Sequence, residues 1–178
     1  MAGIRTILTV LAIAALLAAL SAPVVAQQRT MQVESSNKDM MSTLAGMNNT
    51  AMASSLLNSA DMGNMLAGMP HTLFIPTDSA MGNMGVDKDR MSMLKSDRTL
   101  AARAMQGFIA NGMIKPSDMT NGKTIPMLSG RAMTVRNVNG QMSLDGARIT
   151  RAIQTNNGMI YMIDSMPSSM ISTAMVSR

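Results

Sequence analysis

The sequence has no cysteine and no tryptophan, and only one histidine, one tyrosine and two phenylalanines. Without cysteine there is no disulfide framework, no thiolate metal site and no cysteine nucleophile. A single histidine, His71, excludes His-pair zinc sites and multi-His copper sites within one chain. No GxxxxGKS/T or GxGxxG run occurs, so the phosphate-cradling loops of nucleotide enzymes are missing. With aromatics at 2%, bases would find almost no rings to stack on, and nucleic acid is not an expected partner. Charge is sparse as well: 14% of residues, with 15 basic against 10 acidic and a net +5. Methionine is what the chain has in excess, 24 among 178 residues. The overall hydrophobic content of 47% is enough to build a core.

Residues 1–26 read as a secretory signal peptide. Arg5 supplies the basic start, Ile7 to Leu20 the apolar stretch, Pro23 a helix break, and Val24-Val25-Ala26 the small residues ahead of polar Gln27. Ile7 to Ala26 would just cross a bilayer at roughly 20 residues, so a membrane is expected only through an uncleaved leader. Pro23 and the small residues favour cleavage. An exported chain that uses no disulfides fits a bacterial periplasm or exterior. Residues 27–36 are polar and unpatterned, and are expected to be a mobile N-terminal segment. One domain is expected over 37–172, with a C-terminal tail at 173–178.

Within that domain the apolar spacing predicts helices first. Met40, Met41, Leu44 and Met47 recur three and four apart behind Asp39, and Met52, Leu56 and Leu57 mark a second helix to Ala60. Met62, Met65, Leu66 and Met69 form a third, stopped by Pro70. His71 to Pro76 is a short buried strand, and Thr77-Asp78-Ser79 supplies caps for a helix through Met84. Residues Asp87 to Arg90 read as a solvated loop of mixed charge. A helix is expected from Arg98 to Ile109. After Gly112 the period becomes that of strands, at Thr124–Leu128, Ala132–Val135, Met142–Leu144, Ala147–Thr150 and Met159–Ile163. Ser129-Gly130, Asn139-Gly140 and Asp145-Gly146 are the turn pairs between them. Helices followed by hairpins imply one α+β domain.

Four blocks in this order resemble the fasciclin domain family. Thr72 to Met81 (TLFIPTDSAM) is similar to the family's TVFAPTDEAF box, and Asn157 to Asp164 (NGMIYMID) to its NGVIHVID box. Between them, Gly122-Lys123-Thr124 through Gly130 and Met142 to Ile149 resemble its "G…TLNG" turn and "VNGAKV" hairpin. The resemblance covers roughly Ser36 to Met170. It implies a wedge of two packed β-sheets flanked by helices, exported, with adhesion or ligand binding as its role. Two departures stand out. The family's middle-helix Tyr-His pair is replaced by Gly107-Phe108, and its usual His in the last box by Tyr161. A function resting on those histidines is not carried over.

Set against the family pattern, Met81, Met84, Met105, Met127, Met159, Met162 and Met166 occupy apolar positions and are expected in the core, where methionine fills irregular gaps. Met31, Met40, Met41, Met47, Met65, Met69, Met91, Met119, Met170 and Met175 map less readily to it. A thioether is a soft donor that suits Cu(I). The candidate ligand groups are Met62, Met65 and Met69, spaced along one side of a helix, and the looser set Met40, Met41 and Met47. Burial of an amphipathic face competes with copper for both groups. Exposed methionines would instead absorb oxidant reversibly.

Arg131, Arg136, Arg148 and Arg151 fall on the hairpins and offer a basic face. No histidine is placed to activate Ser79, and a structural or exposed role is expected for His71. The expected protein is therefore a non-enzymatic binding or adhesion module of the bacterial envelope. It needs no cofactor, and its partners are envelope or extracellular proteins or polysaccharides. The alternative is a methionine-rich periplasmic protein that binds copper or scavenges oxidant.

Overall fold

The structure, a computed structural model, describes residues 31–170. The leader at 1–26, the tail at 173–178 and Met175 lie outside the described residues. The described chain runs β1 (Val33–Ser35), α1 (Met40–Ala45), α2 (Ala51–Ser59), α3 (Gly63–Gly68), β2 (His71–Pro76), α4 (Asp78–Asn83), α5 (Lys88–Ser96), α6 (Arg98–Gln106) and β3 (Ile109–Asn111). A 3-10 turn at Pro116–Asp118 leads to β4 (Thr124–Pro126), β5 (Ala132–Val138), β6 (Gln141–Leu144), β7 (Ala147–Thr155) and β8 (Gly158–Ile163). Among the described residues no helix is long and apolar enough to cross a membrane.

The strands form one hydrogen-bonded path, β3-β2-β8-β7-β6-β5-β4, with β1 alongside β7. Its two packed layers are halves of that single path. β7 joins them: its first residues pair with β6 and the remainder with β8, with a register shift between Ile149 and Arg151. The two hairpins β5–β6 and β6–β7 close through two-residue turns at Asn139-Gly140 and Asp145-Gly146. All four residues there have positive φ, between 46° and 87°. That is the turn geometry whose twist matches paired strands, and Asn-Gly and Asp-Gly reach it at least cost. The ends of the path meet as well. Ala110 bridges Met127, and the Leu128 amide donates to the Ile109 carbonyl at 2.8 Å.

Every residue of β2 and of β8 is buried, because both faces of the central strands are covered. Alternate residues feed two cores. Leu73, Ile75, Ile153 and Ile160 join the helices, with Met40, Leu44, Leu56, Leu57, Leu66 and Met105. Phe74, Ala152, Met159, Tyr161 and Ile163 face the hairpins, with Met119, Ile125, Met127, Met133, Val135, Met142 and Leu144. Half of the described methionines are buried. Of the set expected in the core, Met81, Met105, Met127, Met159 and Met162 are buried and Met84 and Met166 half-buried. Met40, Met91 and Met119, assigned above to the less core-like set, are buried too.

Three elements differ from the sequence expectations. Lys88–Ser96 is a helix, with Asp87 accepting from the Arg90 amide at 2.8 Å and Met91 buried, where a solvated loop was expected. The helix from Arg98 stops at Gln106, and Ile109 instead pairs with Leu73 in a strand. Residues 33–35 belong to a strand, whereas 27–36 was expected to be mobile. β7 offers a free edge there, and Val33, Glu34 and Ser35 pair with Ala152, Ile153 and Gln154.

Arg151 holds β1 by donating to Glu34, with Nε to Oε1 at 2.6 Å. That hydrogen bond keeps the Glu34 carboxyl below its ordinary value of 4.5, against a smaller opposing effect of burial. A carboxyl lowered in the folded state stabilises above its unfolded pKa, and the contribution is lost as pH falls through the lowered folded value. The Ser36 amide, bonded to the Gln154 carbonyl at 2.7 Å, should therefore lose exchange protection as pH drops below about 4.5. In Glu34→Gln its protection should be lower at neutral pH and flat through that range. Equal acid sensitivity of the two proteins would contradict this.

Candidate functional site

The residues of the two most recognisable blocks turn out to be structural. Thr77 caps α4 by accepting from the Ala80 amide at 3.2 Å. Asp78 reaches across to a different helix, where its carboxylate accepts from the amides of Ala51 at 3.1 Å and Met52 at 2.8 Å at the start of α2. Ser79 is exposed. In the last block the Asn157 side chain accepts from the Met40 amide at 2.8 Å and donates to the Leu66 carbonyl at 3.0 Å. One amide group thus pins the start of α1 and the end of α3 to the β7–β8 turn.

Tyr161, standing where the family usually has His, stacks on Phe74 with ring centroids 5.2 Å apart. Its hydroxyl donates to the Ile114 carbonyl at 2.8 Å. Burial, with a smaller contribution from the Asp118 charge, drives its ionisation far above the ordinary tyrosine range. It is therefore a neutral core residue. His71 is buried, its Nδ1 donating to the Met69 carbonyl at 2.7 Å. It begins β2 whereas Ser79 lies beyond the end of that strand, and a strand of that length separates them by about 17 Å. The two do not meet.

The candidate copper ligands differ in burial and in backbone setting. Met62 precedes α3 and is buried in the helical core, while Met65 and Met69 are 37% and 66% exposed. Met69 has left the helix for an extended conformation, so the side expected to carry three sulfurs is split. Met40 is buried in the core, with Met41 and Met47 half-buried beside it. All three contribute to packing of the helical core. Among the described residues no cluster of His, Cys, Asp or Glu with metal-holding geometry occurs.

Exposure also orders the methionines by reactivity. Met65, Met69 and Met93 are the most exposed of those described, and hypochlorite should convert them first. Peptide mapping at that stage is expected to show the buried methionines intact, with the melting temperature shifted by no more than a few degrees. Equal early oxidation of Met159 would contradict the ordering.

The hairpin arginines are only partly available. Arg148 pairs with Asp164 at 2.9 Å and Arg151 with Glu34. Burial alone would raise the Asp164 carboxyl, but hydrogen bonds from Arg148 and Ser165 outweigh it and hold the group below its ordinary value. Arg131 and Arg136 form no ion pair among the described residues. Arg131 donates to the Ser169 carbonyl at 3.0 Å and lies on an open cleft of about 550 Å³ with Arg103, Gln106, Gly107 and Ser129.

Against that cleft lies a more enclosed, mainly apolar pocket of about 230 Å³. Its wall includes Leu56, Phe108, Leu94 and five methionines, Met81, Met84, Met105, Met166 and Met170, with Arg90 the one charged residue lining it among the described residues. Ala104 and Met170 line both cavities. An apolar pocket with a few convergent polar groups beside it is the expected form of a ligand site. Sequence reading missed it. Its arginines and methionines come from separate helices, a turn and the C-terminal segment, and no local spacing links them.

A family model for the fasciclin domain matches residues 48–166, well over half of the chain. The chain belongs to the fasciclin domain family. No curated protein matches the sequence. Among solved structures, it is similar at 12% identity and a TM-score of 0.47 to a FAS1 domain pair from the insect cell adhesion molecule fasciclin I. The similarity covers 65% of this chain and 43% of that one, so the chain spans less than half the length of that structure. Within this fasciclin domain, Gly107-Phe108 borders the cleft and its pocket.

Proposed function

We propose that this fasciclin domain is an exported, non-enzymatic binding module that attaches to proteins or polysaccharides of the bacterial envelope. The observation that carries the reading is the cleft beside α6. Arg103 and Arg131, without ion-pair partners among the described residues, flank a methionine-lined pocket. Methionine surfaces repack around varied partners, and unpaired arginines draw acidic ones. Family membership and the leader-like residues 1–26 support export, and the low charge and absence of thiols agree with a periplasmic or extracellular setting. Adhesion uses this chemistry without any bond being made or broken.

The test is adsorption of the exported protein to isolated envelope fractions, read as a binding isotherm. Saturable binding is expected, weakened at least fivefold by the double charge reversal R103E/R131E and reduced by raising the salt. Binding that never saturates, or that ignores both changes, would overturn the reading.

A further inference from the structure

We infer that the cleft and the pocket together bind a single-chain amphiphile with an anionic head, in chemistry a medium-chain carboxylate, its head at Arg103 and Arg131 and its chain among the methionines. The inference rests on the binding reading of the same cleft and names the ligand class.

Four observations carry it. The first is division of labour. The arginine cleft is open and polar, the adjoining pocket is apolar, and Ala104 and Met170 line both. A ligand that fills both must change from polar to apolar along its length. The second is the sign of the charge. Arg90, Arg103 and Arg131 surround the site and none has a carboxylate partner among the described residues, so a cation is repelled and an anion drawn in.

The third is size. A pocket of about 230 Å³ falls below the roughly 300–1,000 Å³ of drug-sized sites. At about 30 Å³ for each water-sized group it holds a chain of roughly eight carbons. Phe108 is its only aromatic residue, which favours a flexible chain over a planar ring system. The fourth is the seam. Any side chain at Gly107 would collide with the tip of Met170. Glycine there leaves Met170 room to lie between the two cavities, and its unbranched thioether can rotate aside for a chain to pass.

Isothermal titration of the exported protein with sodium hexanoate, octanoate and decanoate tests this, with octyl phosphate and octyltrimethylammonium as head-group arms. One-to-one uptake of octanoate is expected. Each pair of methylenes should tighten binding by about tenfold until the pocket is full. Octyl phosphate should bind as octanoate does, and octyltrimethylammonium at least tenfold more weakly. R103E/R131E should weaken octanoate at least tenfold. So should Ala104→Trp, which blocks the passage, with its melting curve unchanged. Met84→Phe, which fills the pocket from α4, serves if the tryptophan variant does not fold.

No heat with millimolar octanoate, equal affinity for the anionic and cationic amphiphiles, or indifference to the blocking variant would each overturn the inference. Envelope adsorption that survives such a failure would leave the binding reading standing. Octanoate uptake without adsorption would remove that reading and keep this one.

Discussion

Replacing Gly158 by alanine is expected to lower stability by about 4 kcal/mol and the melting temperature by roughly 12 °C. The two blocks most typical of the family lie on β2 and β8, which run parallel with His71 opposite Gly158. A β-carbon at 158 would fall on the His71 carbonyl oxygen, with the Met40 thioether tip also in its way. Side-chain tips yield cheaply, but a carbonyl in the middle of a buried sheet does not. Relief would require separating the two strands that divide the cores, or shifting α1, whose first amide is bonded to Asn157 next door. Thermal unfolding followed by circular dichroism measures the loss. Pairing the change with Met40→Ala should recover only a small part of it, because the obstacle is backbone. Gly82→Ala is the control: nothing lies within 4 Å of the added carbon in α4, and a gain of about 0.5 kcal/mol is expected. Similar behaviour of the two variants would contradict the close-approach argument.

Not all of the fold was equally legible in the sequence. β2 and β8 were readable because unbroken apolar runs ending at Pro76 and Asp164 have few other solutions. The hairpins were readable because Asn139-Gly140 and Asp145-Gly146 are the pairs that two-residue turns demand. Helix α5 was not. Met91 is its only buried residue, so it carries little periodicity, and it is held by its Asp87 cap and by neighbours distant in sequence. β1 was illegible for a related reason: it has no apolar alternation, and the edge of β7 decides its conformation. Ile109 continued the helical period of α6, yet Gly107 ends that helix and the strand partner Leu73 takes over.

The site divides in the same way. Asp78 was legible as a cap, but the helix it caps begins at Ala51, which no local pattern could reveal. Methionine was legible as a space filler where the resemblance to the family pattern implies an apolar position. Its spacing at Met62, Met65 and Met69 suggested a common face, and that face is broken because α3 spans only Gly63–Gly68. The cleft was invisible because Arg103, Arg131 and Met170 meet only after the sheet has closed.

If methionine fills the interior as other hydrophobes do, polarity at those positions should be far more damaging than a change of shape. Met159 is the clearest place to measure this. It lies in β8 between Thr72 of β2 and Gln154 of β7, has no exposed surface, and packs in the core that contains Phe74 and Tyr161. The hydroxyl of Thr72, its register partner in β2, already donates to the Gly112 carbonyl at 2.7 Å and accepts from the Ile114 amide at 2.8 Å. Met159→Leu keeps the volume and is expected to cost under about 1.5 kcal/mol. Met159→Gln is close in size and flexibility but buries an amide among apolar groups, and should cost about 3 kcal/mol, or roughly 9 °C in melting temperature. It also imitates the sulfoxide, so it gives the penalty that oxidation at this depth would carry, whereas oxidation of the exposed Met65, Met69 and Met93 is expected to leave the fold in place. Equal melting temperatures for the Leu and Gln variants would mean that this interior admits polar groups freely, and the packing account of the methionines would have to be abandoned.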